Sequence, residues 1–172
     1  IRFISQAIRN YSSTGAIAPS SRFLARCMVQ TMPCTKGQRI LEVGCGTGAF
    51  TKAILKNLKQ GDEFHIVELN AVFCSEVESS LIEPFRKKNP SITIVIHHSS
   101  IEQAELEGNF DAVICGLPFN NFPVQMVNEL FEVMFGLLAD DCNLVYFEYF
   151  GMRSLKSIFG SSRIRKNTKE RT

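Results

Sequence analysis

Five short apolar runs, at residues 40–43, 64–69, 92–96, 110–115 and 144–150, alternate with longer stretches of different periodicity. The runs are rich in Val, Ile and Phe and too short for helices, so they read as buried strands. Between them, apolar positions recur at helical spacing from near Thr47 to about Leu58, from Ala71 to about Lys88, and over roughly residues 124–138. Asn70 is placed to cap the second of these helices, and Pro84 is expected to kink or divide it. Gly61-Asp62, Asn89-Pro90 and Asp140-Asp141 punctuate the pattern as turns. Upstream, Ile1, Ile4, Ile8 and Tyr11 share a helical face with Arg2 and Arg9 elsewhere on the turn, and Thr14-Gly15 ends that helix. A second helix carries Phe23, Leu24, Cys27 and Met28, with Ser20 or Ser21 as its N-cap and Pro33 beyond its end. Strands alternating with helices predict an α/β fold: a doubly wound, largely parallel sheet with right-handed crossovers.

Composition keeps that picture. At 172 residues, with 45% hydrophobic and 21% charged residues, the chain suits one soluble globular domain. No apolar run approaches the roughly 18 residues of a membrane span, and the start lacks the pattern of a secretory signal. The six cysteines (27, 34, 45, 74, 115 and 142) form no C-x-x-C pair, which speaks against zinc and thioredoxin chemistry and for a reducing cytoplasm. The net charge of +2 hides a partition. Residues 1–39 carry six basic and no acidic groups, residues 40–150 six basic and sixteen acidic, and residues 151–172 seven basic and one acidic. Both ends could meet anionic lipid or nucleic acid. The basic amphipathic helix of residues 1–11 either lies on an anionic membrane surface or packs on the core. The expected division is a helical lead-in (1–38), a ligand-binding core (39–150) and a basic tail (151–172).

Candidate chemistry centres on R-I-L-E-V-G-C-G-T-G-A-F-T-K-A-I-L, residues 39–55. A strand runs into Gly44, Gly46 and Gly48, which let a ligand approach the backbone, and then into a helix whose free N–H groups point at the turn. Gly44-x-Gly46-x-x-Ala49 satisfies a relaxed dinucleotide fingerprint, and a NAD-dependent dehydrogenase is one reading of it. Glu42 at the strand's end, and no evident hydride-transfer partner, oppose that reading. Glu68 ends the second strand, 20 residues after Gly48, where an acid can hold ribose hydroxyls. Gly116-Leu117-Pro118-Phe119 follows the fourth strand and flanks the same expected crevice. His97-His98 could ligate metal or act as a base, but no acid or Cys stands at metal spacing, so no metal is expected.

The denser pattern E-x-G-x-G-x-G resembles the first motif of class I S-adenosylmethionine-dependent methyltransferases. That resemblance implies a Rossmann-like fold and S-adenosylmethionine as cofactor. Glu42, Gly44, Cys45, Gly46 and Gly48 would then surround its amino-acid part, Glu68 and Leu69 its ribose side, and Ser100 and Ile101 would border the adenine. The family commonly has an acid where Ser99 stands. Ser20 and Ser21 could reach the cofactor carboxylate or simply cap their helix. The second loop resembles the N/D-P-P-Y/F and N-L-P-Y motifs of N-methyltransferases, with Gly116 in place of the leading polar residue. Together with G-A-I-A-P-S-S-R-F-L-A-R and I-V-E-L-N, these motifs look like bacterial phospholipid N-methyltransferases of the soluble, peripheral type, over roughly residues 10–150. The resemblance implies stepwise methylation of phosphatidylethanolamine toward phosphatidylcholine at the cytoplasmic membrane face. On the substrate side it points to Gly116, Pro118, Phe119, Asn120 and Tyr11, with Asn121 beside them. Phe119, Phe122 and Tyr11 are available as an aromatic surround for a quaternary amine. Members of class I usually end in an antiparallel hairpin that the last 22 residues do not offer, which suggests a fragment or a short member. The remaining alternatives are an RNA adenine-N6 dimethyltransferase, which Gly116 and Phe119 oppose, and an inactive cofactor-binding or membrane-interaction fragment.

Overall fold

Ile40, Leu41, Phe64, Ile66, Ala112, Val113 and Ile114 are wholly shut from solvent, so neighbouring residues on opposite faces of a strand are buried alike. That requires a sheet covered on both sides, and explains why these runs lack polar alternation. The computed structural model describes residues 22–33, 35 and 37–148. In chain order these form α1 (Arg22–Val29), β1 (Arg39–Val43), α2 (Ala49–Leu55), β2 (Glu63–Glu68), α3 (Ala71–Val77), a π turn (Glu78–Ile82), α4 (Glu83–Lys88), β3 (Thr93–His98), β4 (Phe110–Cys115), α5 (Val124–Leu137) and β5 (Leu138–Tyr146). The five strands are all parallel, in the order β3-β2-β1-β4-β5. Chain order reverses between β1 and β4, where Glu42 lies level with Ile66 on one side and Ile114 on the other. Such a reversal opens a crevice at the carboxyl ends of the strands.

Two apolar layers clamp the sheet. On one face Ile40, Phe64, Ile66 and Ile114 pack with Met28 of α1, Phe50 and Ile54 of α2, and Val77. On the other, Leu41, Val43, Val113 and Cys115 meet Met126, Leu130 and Met134, which recur every four residues along α5.

Several boundaries differ from the sequence pattern, each for a local reason. The first core helix begins at Ala49 rather than Thr47, because Gly48 has φ 79° and its N–H is bonded to Cys45 O (2.9 Å) in the preceding turn. It ends at Leu55, short of Leu58. The helix from Ala71 to Lys88 is interrupted by the π turn immediately before Pro84, whose ring crowds the turn behind it and which brings no N–H. β3 continues through His97 and His98. Asp140-Asp141 does not end an element: β5 starts directly after α5, and the pairs Phe110–Leu138 and Ala112–Asn143 bracket a wide bulge in which Asp141 has φ 58°. β5 ends at Tyr146 instead of running to residue 150. The expected helix at residues 1–11, Tyr11, Ser20, Ser21 and the tail 151–172 lie outside the described residues.

Polar side chains fasten the amino ends of the strands. Buried Asp62 accepts from the N–H groups of Gly37 (3.0 Å), Gln38 (3.2 Å) and Lys59 (2.6 Å) and from Gln38 Nε2 (3.0 Å). It thereby ties the approach to β1 to the turn before β2. Across three strands, Arg39 Nε donates to Glu63 (2.9 Å), Glu63 Oε1 lies 2.7 Å from His65 Nε2, and His65 Nδ1 lies 2.9 Å from His97 Nε2. The His65 hydrogen bond, aided by Arg39, holds the Glu63 carboxyl below its ordinary value. His97 is thus committed to a cross-strand pair, and among the described residues no group of three or more His, Cys, Asp and Glu could hold a metal ion.

Asp62→Ala strands four donors, three of them backbone. It is expected to lower unfolding free energy by about 3 kcal/mol, read as a lower urea midpoint at unchanged slope. A midpoint equal to that of the parent protein would refute the role given to this carboxylate.

Candidate active site

The crevice is built from backbone before side chains. Past the last residue of β1, Gly44 N–H still bonds Val67 O (2.8 Å), and Gly116 N–H, just beyond β4, bonds Val43 O (2.8 Å). The two loops therefore leave the sheet in contact. A Cβ on Gly116 would stand 2.4 Å from Gly44 O and 3.3 Å from Phe50, so only glycine fits there. Gly46 is different: its φ is 50° and a Cβ would meet nothing within 4 Å. Its side of the loop is open, a backbone cradle facing the crevice, whereas Gly44 and Gly48 are pressed against Leu117 and Leu81.

Two acids hold this loop from below. Glu68, at the end of β2, accepts from Gly46 N–H through Oε2 (3.0 Å) and from Asn70 N–H through Oε1 (2.8 Å). Asn70 Oδ1 in turn accepts from Val72 N–H (2.9 Å) and caps α3. Each Glu68 oxygen keeps acceptor capacity for a ribose hydroxyl. Glu42 is wholly buried; its Oε2 accepts from Thr51 Oγ1 (2.8 Å), while Oε1 has no hydrogen-bond partner. Burial, reinforced by the nearby Glu68 charge and opposed by Thr51, pushes the Glu42 carboxyl up to about 8. The same burial and the two carboxylates push the Cys45 thiol upward, so it stays protonated and is no nucleophile.

The adenine-side residues expected from the sequence do gather at the end of β3. Ser100 and Ile101 are buried, and Leu69 across from them is half-buried. Two groups there were not singled out by pattern: Ser99 Oγ and both carboxylate oxygens of Glu102 are shielded from solvent without a hydrogen-bond partner. Thr51, three residues past Gly48, was also missed; a hydroxyl one helical turn inside α2, facing an acid on β1, was the available signal.

The second loop is where the arrangement departs most from expectation. Pro118 precedes a 3-10 turn, Phe119–Asn121, in which Asn121 N–H bonds Pro118 O (2.9 Å). Asn120 and Asn121 are half-buried on it. Phe119 and Phe122 do not line an aromatic cage. Both are buried, with Phe119 edge-on to Phe122 (6.3 Å between centroids) and to Tyr146 (5.7 Å) and tilted against Phe131 (5.1 Å). Their rings are spent on the layer between sheet and α5, which is where large aromatic area is most stabilising.

A buried acid lacking a partner beside an open backbone cradle, with a second acid at the neighbouring strand end, fits a ligand bearing an ammonium group and a ribose. Comparisons with known proteins agree. Residues 40–141 match the family described as methyltransferase domain. Over 145 residues the chain is 26% identical to the ornithine lipid N-methyltransferase of Singulisphaera acidiphila, covering 80% of this chain and 71% of that protein. Among solved structures it superposes on the CurJ carbon methyltransferase (TM-score 0.54, 22% identity, 70% of this chain and 31% of that one). It also superposes on an S-adenosylmethionine-dependent O-methyltransferase from Thermotoga maritima (TM-score 0.56, 15% identity, 97% and 54%). The chain belongs to the methyltransferase-domain family and is a class I, S-adenosylmethionine-dependent methyltransferase with a Rossmann-like sheet. The dinucleotide reading of the glycine loop falls away.

Two outcomes follow from this geometry. Gly116→Asn, which restores the polar residue of related loops, forces the Gly44 carbonyl aside. It is expected to weaken S-adenosylhomocysteine binding at least about tenfold by calorimetry; unchanged affinity would show that the two loops are not in contact. For Glu42, folding raises the pKa, so the native chain keeps a proton that the unfolded chain releases above about 4.5. Its contribution to stability is complete below that pH and lost as pH rises toward about 8. Glu42→Gln, which mimics the protonated acid, should therefore stabilise the protein at pH 7, on the order of 3 kcal/mol, and by little at pH 4. A lower melting temperature than the parent at pH 7 would overturn this.

Proposed function

We propose that this methyltransferase transfers the methyl group of S-adenosylmethionine to the amine of a membrane lipid headgroup. Phosphatidylethanolamine, methylated toward phosphatidylcholine, is the particular substrate proposed. The observation that carries the reading is the similarity, over most of both chains, to a protein named as a lipid N-methyltransferase. The fold alone does not select the acceptor atom, since the structural relatives include a carbon and an oxygen methyltransferase. The residues of the second loop support a lipid over a nucleobase: Gly116 has no side chain and no room for one, so no amide stands there to hold an aromatic amine.

In this reading the cofactor's ammonium lies beside Glu42, its amino-acid part against Gly44, Cys45, Gly46 and Gly48, its ribose at Glu68, and its base between Leu69, Ser100 and Ile101. Ser20 and Ser21 reach toward its carboxylate. Bound S-adenosylmethionine supplies a methyl group already activated by a sulfonium, so the chain's task is to position and desolvate the acceptor. A lipid amine resembles lysine, with a pKa of about 10.4 in water, and must shed a proton before it can attack. Burial in the crevice lowers that pKa. The carbonyl of Gly116, the Pro118 turn, Asn120 and the Tyr11 hydroxyl are the groups proposed to orient it, with Phe119 fixing the turn from beneath. The protein is placed on the cytoplasmic face of the inner membrane, held peripherally by the basic, amphipathic residues 1–11. No helix among the described residues is long and apolar enough to cross a membrane.

The decisive assay offers labelled S-adenosylmethionine with vesicles of phosphatidylethanolamine, vesicles containing ornithine lipid, and RNA in parallel. Label in the phosphatidylethanolamine amine is expected. Label confined to ornithine lipid would overturn the headgroup while keeping the lipid class, and label in RNA would overturn the lipid reading.

A further inference from the structure

Four large apolar side chains stand in solvent among the described residues: Phe23, Val72, Phe135 and Tyr146, the first of them 77% exposed. Three of the four gather at one end of the molecule. Tyr146 is the last residue of β5, and Val72 lies four positions beyond the end of β2, so both stand at the carboxyl edge of the sheet. Phe23 is the second residue of α1. Just past that helix, Thr31 O accepts from Asn143 Nδ2 (3.4 Å), and Asn143 pairs with Ala112 near the amino end of β4. Eight residues of chain, about 12 Å if helical, carry Phe23 from there toward the crevice end. Phe135 is the exception, two residues from the end of α5 and hence at the opposite edge.

Charge sorts the same way. The described body is entered at residue 22, next to Phe23, and left at residue 148, two past Tyr146. The segment 1–39 has six basic and no acidic residues, and 151–172 has seven and one. Both basic segments are therefore joined to the body at the edge that carries the exposed apolar groups, while the chain between them is acidic. Separate apolar side chains on three different elements, flanked by strongly basic chain, match a fluid anionic surface, which needs no shape complementarity.

We propose that the edge bearing Phe23, Val72 and Tyr146 seats the protein on an anionic lipid bilayer, so that the crevice opens onto the plane of headgroups. The inference rests on the lipid-amine reading above and adds to it an orientation set by the folded body, independent of residues 1–11. Phe23 and Tyr146 place aromatic rings at the headgroup level, where amphipathic rings partition well, and Val72 adds apolar area beside the cofactor edge. The side chains are already exposed, so seating removes apolar surface from water without opening the fold.

The test compares the full chain, the double variant F23S/V72S and the single variant F135S. Binding to vesicles of phosphatidylethanolamine mixed with phosphatidylglycerol is measured by co-sedimentation, and S-adenosylhomocysteine affinity by calorimetry. The double variant is expected to lose about tenfold or more in vesicle partitioning with cofactor-product affinity unchanged, and F135S to bind vesicles like the parent. Equal vesicle binding by F23S/V72S, or an equal loss in F135S, overturns the proposal, as does a loss accompanied by weaker S-adenosylhomocysteine binding. Methyl transfer to a short-chain phosphatidylethanolamine below its micelle concentration separates the two readings. Its absence in the parent removes the lipid-amine function, while the vesicle measurements still decide the seating edge.

Discussion

The loops that follow β1 and β4 pass so closely that the Gly44 carbonyl occupies the space a side chain on Gly116 would need. This close approach is what the rest of the crevice depends on. It lets Gly116 continue the hydrogen-bonding of the sheet to Val43 while the chain turns away, and it presses Leu117 onto Gly44. With that floor fixed, the glycine loop has one free side, at Gly46, and the ligand can approach only from there. A polar residue at position 116 would gain a contact to an amine and lose the floor. Position 116 is thus set by packing, and the chemistry of the acceptor has to be handled by backbone carbonyls and by residues further along the loop.

The two acids of the loop illustrate how a site is kept poised at the expense of stability. Glu68 spends its oxygens on backbone N–H groups, so it rigidifies the link between the glycine loop and α3 before any ligand arrives. Glu42 does the opposite. Buried at the centre of the sheet with one oxygen unpaired, it resists ionisation and contributes less to folding than an apolar residue of the same shape. A cation placed at that oxygen would reverse the penalty. Cofactor binding and proton release from Glu42 are linked for this reason, and the Cys45 thiol beside them is kept inert by the same field.

An unreactive crevice is consistent with methyl transfer. The activated bond belongs to the cofactor, and the protein's share is a dry, shaped approach for a neutral lone pair. This is why related sheets serve carbon, nitrogen and oxygen acceptors, and why the acceptor is written in the peripheral loops and edges. In this chain those are the Pro118 turn, the half-buried Asn120 and Asn121, and the exposed apolar groups at the carboxyl edge.

Periodicity in the sequence was enough to determine the α/β class, four of the strands nearly to the residue, and the two chemical landmarks, the glycine loop and the acid at the end of β2. These are local properties: backbone that must turn without a Cβ, and strands buried on both faces, leave marks on every residue they contain. Tertiary structure alone decided the rest. The start of β5 was hidden because Asp140 and Asp141 look like a turn and are in fact a bulge tolerated by pairing with β4. His97 read as a candidate base until its partner, 32 residues earlier in the chain, took it up in a cross-strand pair. Phe119 and Phe122 carried the signature of a substrate loop, yet their rings were claimed by Phe131 and Tyr146 from other elements. Gly116 looked like a missing functional group and is a steric requirement imposed by a carbonyl 72 positions away in sequence. Each of these depends on which distant atoms meet, and a linear pattern carries no record of that.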